Sequence, residues 1–151
     1  MSATDYRFTS QWVVPASPGR TFDVLADVLG YPDWWPQVRA VARVDDSTVR
    51  VVCRSLLPYD LDLLLTRVVE DRRRGVLEAS IEGPLRGWSR WTIQPAGGAA
   101  TRLDYEQEVT ASGRLLGVAS RVARPVLVAN HAWMMRGGRR GLGQGRSKAG
   151  R

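Results

Sequence analysis

From Tyr6 to Val14 the chain alternates, with Tyr6, Phe8, Ser10, Trp12 and Val14 on one face and Arg7, Thr9 and Gln11 on the other. A period of two marks a strand with one buried side. Six further runs carry the same pattern: Val38 to Asp45, Thr48 to Leu57, Asp60 to Glu70, Val76 to Gly83, Arg86 to Gln94 and Thr101 to Thr110. Asp45-Asp46-Ser47, the charged stretch Glu70 to Gly75 and Pro95 to Gly98 separate neighbouring runs with turn-forming residues, so the series predicts antiparallel hairpins.

Two helical patterns interrupt the alternation. After the first strand, Ser17 is placed to cap a helix with Pro18 at its first position. Phe22, Leu25, Ala26 and Leu29 form its inner stripe, and Gly30 is expected to end it. Tyr31-Pro-Asp-Trp-Trp-Pro36 follows as a single bracketed turn. Adjacent residues on a turn point about 100° apart, so Trp34 and Trp35 are expected to divide, one packing inward and one lining an opening, unless both plug the junction of helix and sheet.

The second pattern is long. Between Arg114 and Arg136, Leu115, Ala119, Val122, Val126, Ala129 and Trp133 recur at helical intervals, with Leu116, Ala123, Leu127 and Met134 beside them. Ser112-Gly113 is expected to open this helix and Gly137-Gly138 to stop it, while Pro125 predicts a kink. Its longest uncharged run falls short of the roughly 18 residues that span a bilayer.

The order is therefore strand, two short helices, six antiparallel strands and one long helix: an α+β chain in which a seven-stranded curved sheet wraps the terminal helix. Such a sheet leaves a cavity beneath the helix, the kind of place where small ligands bind. Polar residues in phase with the apolar strand positions support this. Ser10, Cys53, Ser55, Arg67, Tyr105 and Gln107 fall on predicted inner faces and Asn130 on the inner edge of the helix. In a sealed core, unpaired members of this set would each cost about 1–3 kcal/mol, and a wet or ligand-filled cavity accommodates them better. For Arg67, a slip of phase at a β-bulge is an equal alternative.

Composition narrows the function classes. With 151 residues the chain is expected to form one domain over residues 1–142. The net charge of +7 is unevenly distributed: nine basic residues and no acidic ones follow Glu108, whereas residues 1–108 hold thirteen basic and fifteen acidic residues. The body is not basic, so nucleic acid is not an expected partner. Gly137 to Arg151 is Gly- and Arg-rich and is expected to fray, with 143–151 as a disordered tail able to touch RNA or an anionic membrane, a distant third reading of the function. Cys53 is the single cysteine, which excludes an internal disulfide and fits a reducing compartment. No secretory pattern opens the sequence, and a cytoplasmic location is expected. One His and one Cys at no ligand spacing predict no metal, and no cofactor is implied.

Three segments carry a family resemblance: Phe22 to Pro36, with its Tyr31-Pro-Asp-Trp-Trp-Pro turn; Gly83 to Trp91; and Asn130 to Gly137. Together they resemble the helix-grip fold shared by START-like lipid-transfer domains, plant pathogenesis-related allergens and bacterial polyketide cyclases (the SRPBCC superfamily). The last segment is similar to actinobacterial polyketide cyclase-like proteins. The resemblance extends over residues 5 to 142 and implies either a carrier or a cyclase, since this scaffold hosts both.

The expected activity is binding of a small hydrophobic ligand, aromatic, polyketide-like or isoprenoid-like, between sheet and helix. The cavity candidates are Trp34, Trp35, Cys53, Ser55, Arg67, Arg90, Trp91, Tyr105, Gln107, Asn130 and Trp133. The alternative is an aromatase/cyclase in which Arg67 or Arg90, with Tyr105, holds the carbonyl oxygens of a poly-ketone. No Ser-His-acid set is recognisable. His131, the lone histidine, is expected to be a hydrogen-bonded packing residue.

Overall fold

All seven alternating runs become strands, because each has an apolar face to bury and polar residues that remain wet on the other. The computed structural model describes residues 5–55, 60–111 and 124–144. Its strands are β1 (Asp5–Val14), β2 (Val38–Arg43), β3 (Thr48–Cys53), β4 (Leu61–Asp71), β5 (Val76–Glu82), β6 (Leu85–Pro95) and β7 (Thr101–Ala111). They form one antiparallel sheet in the order β1-β7-β6-β5-β4-β3-β2. Strands β2 to β7 are successive hairpin neighbours, and β1 returns to pair with β7 along its whole length, from Asp5 opposite Thr110 to Val14 opposite Thr101. This is the α+β helix-grip architecture.

Helix α1 (Pro18–Ala26) starts as expected, with the Ser17 side chain accepting from the Arg20 amide at 3.3 Å. It ends earlier than Gly30. After Asp27 the chain tightens into a 3-10 helix, Val28–Asp33, which turns Leu29 out of the expected inner stripe to 42% exposure. Tyr31 is buried there instead and donates its hydroxyl to the Leu25 carbonyl at 2.5 Å.

Helix α2 (Arg124–Gln144) corrects two expectations. Gly137-Gly138 does not stop it, and the helix continues through Gly141 and Gly143 to Gln144. The glycines are instead its contact face. A Cβ on Gly137 would overlap the Gln37 amide, one on Gly138 would lie 2.5 Å from the Trp35 ring, and one on Gly141 would overlap the Trp34 carbonyl. The inward face is also rotated. Asn130, Met135 and Gly138 are buried while Ala129 is exposed and Trp133 only half-buried, so the described helix turns Met134–Met135 inward rather than the Ala129–Trp133 stripe. The expected opening of this helix at Ser112-Gly113 and its segment 114–123 lie outside the described residues, as do 145–151 of the tail; the kink expected at Pro125 turns on the carbonyl of Arg121, which lies there too.

The core is aromatic at one end. Trp12 meets Trp35 edge-on at a centroid distance of 6.0 Å and Trp91 at 5.0 Å, and Trp35 Nε1 donates to the Met134 carbonyl at 2.8 Å. Three indoles thus tie β1, β6 and the 34–37 segment to α2. Large rings with offset contacts are an efficient way to fill the wide end of a curved sheet.

Candidate functional site

Strand register carries the inner face straight across the sheet. Arg67 stands opposite Ala79, Ala79 opposite Ser89, Ser89 opposite Gln107, and Gln107 opposite Phe8. The next inner row runs Leu65, Ile81, Gly87, Val109 and Tyr6 by the same pairings. Ala79, Ser89 and Gly87 therefore sit side by side in the middle of the concave face with almost no side chain between them. Large residues fill the flanks and the centre stays open.

The result is a cavity of about 320 Å³, within the lower range of small-molecule sites. Its floor is the central sheet, with Val51, Leu61, Leu63, Leu65 and Leu77 among its apolar residues. Asn130, His131, Met134 and Met135 roof it from α2, and Leu25 to Tyr31 close one side. Trp35 and Trp91 form the end wall shared with the indole cluster.

One wall is polar. The Tyr105 hydroxyl donates to Gln107 Oε1 at 2.5 Å, and both residues are buried. Burial drives the Tyr105 hydroxyl far above its ordinary pKa, with a hydrogen bond to Ser89 opposing, so it stays protonated. Loss of hydration, reinforced by the charge of Asp60, likewise pushes the Cys53 thiol up to about 12. His131 shifts the other way: burial lowers it to about 4, and the ring is uncharged at neutral pH. Its Nε2 is buried without a hydrogen-bond partner among the described residues, and the ring packs by stacking on Phe8.

Arg67 marks the mouth. The register shifts between Arg67 and Val69, so Val68 is an extra residue and Glu70 returns to the same face as Arg67. The Arg67 side chain, 49% exposed, lies 3.9 Å from Glu70 and donates to the Asp46 carbonyl at 3.3 Å. The phase holds up to the bulge, and the arginine stays on the cavity side.

Of the expected cavity residues, the structure brings Trp35, Cys53, Arg67, Trp91, Tyr105, Gln107 and Asn130 to the lining. Four are placed elsewhere. Arg90 is on the outer face, pairing with Glu78 directly across the strand at 2.6 Å and lying over the Trp88 ring, because it alternates with Trp91 rather than sharing its side. Trp34 stacks on Trp35 and meets Tyr31 edge-on, so Trp35 takes both the inward and the lining role. Ser55 stands behind Asn130, donating to its Oδ1 at 3.3 Å. Trp133 is turned away with the rotation of α2. Phe8 and Ser89 join the lining unanticipated, although both share parity with recognised inner residues. Helical spacing puts His131 near the edge of the buried face, but not its place in the lining, because its ring neighbours Phe8 and Tyr105 come from β1 and β7.

Among the described residues no three His, Cys, Asp or Glu side chains are grouped to hold a metal ion, and no helix is long and apolar enough to cross a membrane.

Residues 14–133 match the family described as polyketide cyclase / dehydrase and lipid transport. No curated protein matches the sequence. Among solved structures, the Zhui aromatase/cyclase of a Streptomyces species superposes with a TM-score of 0.80 at 17% identity, covering 97% of this chain and 96% of that one. A START superfamily protein from Mycobacterium smegmatis gives 0.73 at 16% identity over 95% and 97%. The di-domain aromatase/cyclase StfQ of the steffimycin biosynthetic pathway gives 0.64 at 15% identity, covering 97% of this chain and 53% of that one. At these identities the likeness is one of fold.

Proposed function

The chain belongs to the polyketide cyclase / dehydrase and lipid transport family, and on that premise we propose that it binds a small hydrophobic ligand, aromatic or polyketide-like, in the cavity between the sheet and α2. One observation carries the choice of binding over turnover: Tyr105, Cys53 and His131, the titratable groups deep in the cavity, are all held in their uncharged forms, with pKa values displaced away from neutral pH. Tyr105 and Cys53 are shifted upward and His131 downward. A general acid or base works best with a pKa near the operating pH, and none of these groups is so tuned. Apolar walls with a few fixed polar groups are what a binding site requires.

A cyclase is the second reading, favoured by Arg67 on the cavity side of β4 and by the Tyr105 hydroxyl. There the guanidinium would hold a carbonyl oxygen at the mouth and the hydroxyl would donate to another at the floor, steering a flexible chain into one fold.

Native mass spectrometry of the full chain purified without organic solvent, followed by denaturation and identification of the released compound, tests the proposal. A stoichiometric hydrophobic molecule is the expected result. An empty protein whose tryptophan fluorescence ignores aromatic and isoprenoid compounds would overturn it.

A further inference from the structure

We infer that the outward face of α2 is a docking surface for an anionic lipid membrane, its arginines meeting head-group phosphates and its apolar turns entering the edge of the acyl layer. Two rows of side chains run along this face. Val128, Ala132, Arg136 and Arg139 follow one another at intervals of four, four and three, and Ala129, Trp133, Arg136 and Arg140 at four, three and four. Each row begins apolar and ends basic. Val128 is 43% exposed, Ala129, Ala132 and the three arginines are exposed, and Trp133 is half-buried at the margin. From Val128 to Arg140 the face is about 18 Å long.

The basic half lacks counter-charges. Among the described residues, eight arginines of the sheet and its turns pair with carboxylates, whereas Arg136, Arg139 and Arg140 have no ion-pair partner. The sequence holds no acidic residue after Glu108, so nothing on α2 itself neutralises them. An anionic surface supplies the missing charge, and guanidinium groups suit phosphate because two N–H donors meet two oxygens.

The apolar half selects the kind of anionic partner. No Asp, Glu, Lys or Arg stands between Pro125 and Met135, so Val128, Ala129 and Ala132 face solvent with no charged group among them. The water-facing side of a helix ordinarily carries charge. Nucleic acid would engage the arginines and leave these turns without phosphate contacts. A bilayer takes both halves: apolar side chains settle at the acyl boundary, a tryptophan sits at head-group level, and arginines reach the phosphates. The opposite face of α2 roofs the cavity through Asn130, His131, Met134 and Met135, so a docked membrane lies one helix diameter, about 10 Å, from the cavity.

The test is co-sedimentation of the full chain with vesicles of phosphatidylcholine, alone or mixed with phosphatidylglycerol, at low and high salt. Binding to the mixed vesicles is expected, weakening as salt rises, with far less to phosphatidylcholine alone. Arg136→Gln, Arg139→Gln and Arg140→Gln together are expected to weaken it roughly a hundredfold. Val128→Gln with Ala132→Gln, which leaves the charge unchanged, is expected to weaken it roughly tenfold. All five positions are exposed, and a thermal melt of each variant checks that it is folded. Absence of binding to the mixed vesicles, or equal binding to both kinds, overturns the proposal. Binding that both variants keep assigns the contact to Arg146, Lys148 and Arg151 instead and overturns it as well. Loss in the arginine variant with the Val128 and Ala132 variant unchanged marks a purely electrostatic partner such as nucleic acid, and also overturns it. None of these outcomes bears on ligand binding in the cavity, which the released-compound experiment reads separately.

Discussion

The carbonyl oxygen of Trp34 lies against Gly141 so closely that a Cβ on the glycine would overlap it. The contact is with backbone, which has no rotamer by which to give way. Gly143, two residues on, has nothing within 4 Å of the same added atom. The two positions thus separate packing from helix propensity. Gly143→Ala is expected to raise stability by up to about 1 kcal/mol, the ordinary gain of alanine over glycine in a helix. Gly141→Ala is expected to lower it by about 1–3 kcal/mol despite that gain, because α2 must move off the Trp34–Trp35 segment. Thermal or urea unfolding of both variants checks the opposite signs.

Ala79 and Ser89 keep the centre of the sheet open, so filling it removes the site without removing the fold. Ala79→Phe projects a ring into the cavity and is expected to weaken binding of 2-methylnaphthalene by at least about tenfold, with a melting temperature within a few degrees of the native protein. Titration and a thermal melt on one sample distinguish this from unfolding.

His131 makes stability depend on pH. Its pKa is about 4 in the folded chain against an ordinary 6.5. Between those values the unfolded chain binds the extra proton, so stability rises with pH across this window. The contribution is fully present above about 6.5 and is lost as the pH falls through 4, amounting to roughly 3 kcal/mol. Urea unfolding at a series of pH values is expected to show this loss in the native protein, and His131→Phe is expected to flatten the same interval.

Cys53 is buried and its thiol is raised to about 12. Thiolate is the reactive form, so at pH 8 the native protein is expected to resist a thiol reagent that labels the urea-unfolded chain within minutes. Rapid labelling of the folded protein would show that the β3 end of the cavity opens.

Tyr105 separates carrier from catalyst. Tyr105→Phe removes the donor to Gln107 and is expected to cost about 1 kcal/mol of stability while leaving 2-methylnaphthalene affinity within about threefold. If the protein turns over a poly-ketone, the same variant loses product formation far beyond its change in binding, a split that single-turnover assays read directly.

The strands, their hairpin order and the inner faces were legible in the sequence because alternation is local: parity within one run assigns Leu61, Leu63, Leu65, Tyr105 and Gln107 to one side whatever lies across from them. The same parity places Arg90 outside and Ser89 inside, and phase alone was enough to correct both. The first helix was legible through Ser17 and Pro18, but its break at Asp27, which turns Leu29 outward, was not.

What the sequence by itself determined is the set of elements and which face of each strand is dry. What only the tertiary structure decided is how α2 sits on that dry face. Gly137, Gly138 and Gly141 read locally as a helix stop, since glycine is a poor helix former. They are helical here because Gln37, Trp35, Trp12 and the Trp34 carbonyl occupy the space their missing side chains leave. That contact sets the rotation of the helix, turning Met134, Met135 and His131 toward the cavity and Trp133 away. The site depends on that choice, and the choice depends on residues about a hundred positions apart in the chain, a separation that no local period records.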